Sequence, residues 1–103
     1  MARTLRDRSG KTVRLTEERE THILRHAEMQ GQIDKLGVVL NEPDVIVRSV
    51  HDPDVYLYHK HYKETPVTEK YLLVAVKVEG PDAFIITAFF TDTVKKGEKI
   101  WEK

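Results

Sequence analysis

His22 and His26 stand four residues apart, so a helix carrying them sets both imidazoles on one side, aimed at one site. Such a pair can also hold a metal. Glu18 continues the stripe, but no further ligand type follows nearby, so neither a metal nor a cofactor is expected. Proton transfer is the chemistry the imidazoles suit, because an unperturbed histidine titrates near ~6.5. The structural alternative is one ring packed where helix meets sheet and the other in water. Further along, Arg48 and Lys77 supply cations, and Thr87 and Thr91 supply hydroxyls. Tyr56, Tyr58 and Lys60 interleave aromatic rings with a cation, the combination that stacks bases and holds phosphates. Metal-independent RNA cleavage needs a base for the 2′-hydroxyl, an acid for the leaving 5′-oxygen, and cations at the phosphoryl oxygens. The residue types for all three are present.

Elements must bring them together. Lys70 to Asp92 is the longest apolar stretch, two β-rich runs separated by Glu79-Gly80-Pro81-Asp82, and it reads as an antiparallel hairpin. Val45 to Val50 and Val55 to Tyr62, joined by the turn formers of His51-Asp52-Pro53-Asp54, add two strands and complete a four-stranded antiparallel meander. Ahead of them, Thr16 has the chemistry of a helix N-cap, with Glu17 and Glu18 suiting the positive end of the helix dipole. That helix is expected to reach about Glu28. Beyond Gln30-Gly31 a second helix is expected over Gln32 to Asn41, from the spacing of Ile33, Leu36, Val39 and Leu40. Thr12 to Leu15 suits a short edge strand.

The expected fold is therefore α+β, with two N-terminal helices packed on one face of a four-stranded antiparallel sheet. Helices on the face of Val45, Val47, Val55, Leu57, Val74, Val76, Ile86 and Ala88 leave Arg48, Tyr56, Tyr58, Lys60, Lys77, Thr87 and Thr91 on the other. That face is then the RNA site, or else the ordinary solvated side of a half-buried sheet.

A chain of 103 residues fits one domain, expected over residues 12–103 behind a flexible basic arm of residues 1–11 carrying Arg3, Arg6 and Arg8. The 17 basic and 17 acidic residues cancel, which argues against a protein that relies on non-specific attraction to phosphates. Zero cysteines exclude disulfides and thiolate-zinc sites and lean toward the cytoplasm. No apolar run approaches the ~20 residues that span a bilayer, and no membrane partner is expected.

The blocks THILRH (Thr21 to His26), NEPDVIVRS (Asn41 to Ser49), DPDVYLYHK (Asp52 to Lys60), YLLVAVKV (Tyr71 to Val78) and FIITAFFTDTVKKGEKIW (Phe84 to Trp101) occur in an order that resembles the phage-associated nuclease domains of the Barnase/EndoU/colicin/RelE-like (BECR) fold. The resemblance runs from about Thr12 to Trp101. It implies N-terminal helices before a four-stranded antiparallel sheet, and metal-independent endoribonuclease activity on RNA, often tRNA, in toxin or phage settings. It also implies a helix histidine at His22 or His26, a strand arginine at Arg48, a lysine at Lys77 and a hydroxyl at Thr87, with Thr91 beside it. An antitoxin or immunity protein is the partner such a toxin implies. The alternative is a non-catalytic module that binds RNA or a protein through the same face.

Overall fold

The computed structural model describes residues 2–103 as one mixed sheet flanked by two helices. Strands Arg3–Arg6 (β1) and Thr12–Leu15 (β2) come first. Helices Glu17–Leu24 (α1) and Asp34–Asn41 (α2) follow, with a single 3-10 turn at Ala27–Met29 between them. Strands Val45–Ser49 (β3), Val55–Tyr62 (β4), Lys70–Glu79 (β5), Asp82–Thr91 (β6) and Gly97–Glu102 (β7) complete the chain.

The sheet order is β1-β2-β6-β5-β4-β3-β7, and only the β2–β6 pairing is parallel. This corrects the four-stranded antiparallel expectation: the sheet has seven strands and is mixed. The four expected strands are its centre. Of the three others, β2 is the short strand expected over Thr12 to Leu15, though it lies between β1 and β6 and not at the edge; β1 and β7 are short or highly charged, so their sequences carry little apolar alternation. β1 lies within the segment expected to be an arm, where Arg3 pairs with Leu15 and Arg6 with Thr12 across the ladder. Arg14 of β2 reaches Asp82 of β6 through two hydrogen bonds, Nε to Oδ1 at 3.0 Å and Nη2 to Oδ2 at 2.6 Å, which ties the parallel seam.

Local chemistry explains the helices. The Thr16 hydroxyl accepts the Arg19 amide at 3.2 Å, and Glu17, Glu18 and Glu20 occupy the first turn of α1, where the helix dipole favours anions. α1 buries Ile23. α2 buries Leu36, Val39 and Leu40, whose spacing makes one apolar stripe. Both helices lie on the same side of the sheet, α1 against β6 and α2 across β1, β5 and β4. No helix among the described residues is long and apolar enough to cross a membrane.

Under the helices the core comprises Val13, Leu15, Ile46, Tyr58, Leu72, Val74, Val76, Ala83, Ile85 and Ala88. A smaller apolar cluster of Val55, Leu57, Leu73, Ala75, Ile86 and Phe89 occupies the opposite face. β5 is apolar on both sides because both clusters draw on it. A bulge where Val76 pairs with Ile85 and Ala75 with Thr87 leaves Ile86 over, so the adjacent residues Ile85 and Ile86 serve different clusters.

The expected faces are also corrected. Val74, Val76 and Ala88 lie beneath the helices as expected, but Val55, Leu57 and Ile86 lie on the far side. Register decides this: Tyr56 opposes Val76 and Tyr58 opposes Val74, so the tyrosines of β4 share the helix side with the valines of β5. A strand with apolar or aromatic residues at nearly every position does not announce its phase, and a one-residue change of phase exchanges the faces.

Candidate functional site

The residues expected to act together are divided between three places. His22 on α1 and His26, just before the 3-10 turn, are both exposed, with ring centroids 6.1 Å apart and the planes perpendicular. α1, which packs against β6, ends at Leu24, so it carries His22 but not the expected pair: His26 is in extended backbone beyond it.

Arg48, Tyr56, Tyr58 and Lys60 share that side by register, but at the β3–β4 end. Arg48 is bound to Glu98 at 3.2 Å and donates to the Tyr56 hydroxyl at 3.3 Å, with the guanidinium 5.5 Å from that ring. Tyr58 is buried, and its hydroxyl donates to Asp7 at 3.0 Å. Burial, then the Asp7 charge, push its pKa upward, so the phenol remains a donor. Lys60 donates to the Glu42 carbonyl at 2.9 Å. A cleft of about 340 Å³ opens here between Asp7, Arg8, Tyr56, Tyr58 and Trp101, with the Arg8 guanidinium 4.1 Å above the indole.

Lys77, Thr87 and Thr91 lie on the opposite, open face. Lys77 is engaged with Asp52 at 2.7 Å; this hydrogen bond raises the lysine pKa and is the first cause lowering that of the aspartate. The Thr91 hydroxyl donates to the Thr93 carbonyl at 3.1 Å. Thr87 lines a groove of about 560 Å³. Its floor is the apolar cluster Val55, Leu57, Leu73, Ala75, Ile86 and Phe89.

Ser49, Val50 and His51 from the β3–β4 turn and Lys95 and Lys96 from the β6–β7 segment complete the lining, and the pairing of Ser49 with Gly97 sets the two segments side by side. The Lys95 ammonium lies 5.7 Å from the centre of the Phe89 ring. Among the described residues no carboxylate is within ion-pair distance of Lys95 or Lys96. Val50 is 66% exposed at the rim, an apolar side chain left in water beside an apolar floor.

Sequence reasoning missed His51, Lys95 and Lys96. His51 sits in a run of turn formers, and the two lysines precede Gly97 in a charged stretch, so both segments read as connections. The available signal was their position: loops at the ends of strands are where a rigid sheet presents functional groups. Among the described residues no group of three or more His, Cys, Asp or Glu side chains is arranged to hold a metal ion. The arrangement can bury a flat or apolar group on the floor, with two ammonium groups and an imidazole in the lining to meet an anion. Comparison with family models, characterised proteins and solved structures gives no match for this chain.

Proposed function

We propose that the domain is a metal-independent endoribonuclease of the cytoplasm that takes single-stranded RNA in the groove of the open sheet face. The observation that carries this reading is that Lys95 and Lys96, outside every ion pair among the described residues, line with His51 and Thr87 one groove whose apolar floor includes Phe89. An unstacked base covers the floor, and the adjoining phosphate meets the lysines. His51 accepts the proton of the 2′-hydroxyl as the 2′-oxygen attacks phosphorus. The P–O5′ bond breaks, water at the open side protonates the 5′-oxygen, and a 2′,3′-cyclic phosphate remains. Lys95, Lys96 and Thr87 stabilise the phosphoryl oxygens while charge develops there. The resemblance to BECR nuclease domains supports the same activity, with tRNA as one substrate and an antitoxin or immunity protein as the restraining partner. His51 is the proton-transfer group here because His22 and His26 lie on the helix side.

The test is incubation of purified protein with tRNA and with unstructured RNA, followed by analysis of the ends. Cyclic phosphate ends that disappear in His51→Ala and Lys95→Ala, at unchanged melting temperature, are expected. Intact RNA in the presence of folded protein refutes cleavage. A second reading is favoured by the single imidazole lining the groove: a binding module that retards RNA without producing new ends.

A further inference from the structure

β4 carries one fully buried polar side chain, His59. By register it faces the open side of the sheet, between Val45 of β3 and Leu73 of β5. Its Nε2 accepts the backbone amide of Lys95 at 3.1 Å, from the segment that joins β6 to β7. Nδ1 completes no hydrogen bond. Because Nε2 is the acceptor, the ring is neutral with its proton on Nδ1. A leucine would fill the space without burying an unsatisfied N–H, so the histidine is poor as mere filling. What it gains is a hold on the residue that begins the lysine rim.

We propose that His59 is a positioning residue that latches the 92–96 segment, and with it Lys95 and Lys96, beside the groove, and that protonation of its ring releases the latch. The latch stands on its own geometry; its effect on a ligand rests on the groove being the RNA site. With a second proton both ring nitrogens become donors, and Nε2–H then confronts the Lys95 N–H. Lys95 is the charged residue facing His59 from the segment. Tyr71 faces it edge-on from β5 at 6.3 Å, and His61 follows on the same face of β4, bound to Glu69 at 2.7 Å. Val45, its neighbour on β3, does not titrate. Burial is the largest influence on the ring and disfavours the second proton; the Leu57 and Val45 carbonyls near it favour the proton, and Lys95 disfavours it. The net result is a pKa below the ordinary histidine value. The lysine rim is therefore held at neutral pH and freed in acid.

Amide exchange of the full chain, followed by NMR between pH 7.5 and 4.5 and expressed as protection factors, reads the latch directly. In wild type the Lys95 amide is protected at neutral pH and loses protection on acidification. His59→Leu lowers its protection at pH 7.5 at least tenfold. His59→Gln, whose carboxamide oxygen can accept the same amide, retains protection and removes its acid dependence. Equal Lys95 protection in wild type and His59→Leu at pH 7.5 overturns the proposal. If His59→Leu does not fold, a His59→Gln profile with the wild-type acid dependence overturns it instead. Affinity for a labelled ten-residue oligouridylate separates the two layers: weaker binding by His59→Leu and restored binding by His59→Gln extend the latch to the groove. Absence of wild-type binding, with the exchange results as expected, refutes the RNA reading and leaves the latch standing.

Discussion

At the scale of single residues, Asp7 shows how a turn is held by one buried carboxylate. Its Oδ1 accepts from the Ser9 amide at 2.9 Å, the Ser9 hydroxyl at 2.7 Å and the Lys11 amide at 2.9 Å, and its Oδ2 accepts from Tyr58. Burial alone would raise its pKa, but these bonds outweigh it and hold the carboxyl below the ordinary aspartate value. A depressed carboxylate contributes stability that is present above the unfolded value near ~3.9 and lost as pH falls through the folded one. Asp7→Asn is expected to cost about 1–3 kcal/mol at pH 7 in urea unfolding. The difference from wild type should shrink below pH ~4; an unchanged gap at pH 3 would contradict this. His59 works in the other direction on the pH axis. Its stabilising contribution is present above ~6.5 and is lost as pH falls through its lower folded value, so stability declines in that acidic window. A His59→Gln melting curve that declines as steeply as wild type there would count against this assignment.

At the scale of elements, the edge strand β7 depends on a glycine. A Cβ on Gly97 would collide with the Arg48 carbonyl oxygen and lie 2.6 Å from Val47 Cγ1, at a backbone φ of +153°. Gly97→Ala should therefore destabilise by about 1–3 kcal/mol, through strain and lost β3–β7 pairing. Chemical denaturation measures the loss, and exchange of amides across the β3–β7 pairing locates it; a variant as stable as wild type would refute it. Helix α1 depends on its cap, and Thr16→Ala should cost about 1 kcal/mol. In contrast, Lys77 is paired with Asp52 across the turn before β4, at a partly exposed position. Lys77→Met should leave the denaturation midpoint close to that of wild type.

At the scale of the molecule, the formal net charge is zero, so no general field draws the chain to nucleic acid. On the proposed reading RNA is held in the groove, where Lys95 and Lys96 present the charge. Two phosphates neutralised on a single strand give a slope of about −1.4 for log K against log salt concentration. A titration between 50 and 200 mM salt tests this. A slope several times steeper would point to a phosphate track beyond the groove. Two helix-side cations are tied more closely into the fold: Arg48 binds Glu98 and Tyr56, and Arg8 covers Trp101.

Local chemistry written in the sequence determined the strands of the central meander, the Thr16 cap, the apolar stripe of α2 and the polar half of the Lys70–Asp92 hairpin, where Lys77 and Thr87 indeed share the face away from the helices. Only the tertiary structure decided the phase of β4, because Tyr56, Leu57, Tyr58 and His59 are each compatible with burial, and the pairing with β5 selects which two face the helices. It also decided the sheet's edges. Four-residue strands such as RTLR and a charged one such as GEKIWE gain strand structure from their neighbours' hydrogen bonds rather than from their own apolar pattern. The candidate groove belongs to the same category. His51, Thr87 and Lys95 come from separate connections and strands, and only folding brings them to one groove.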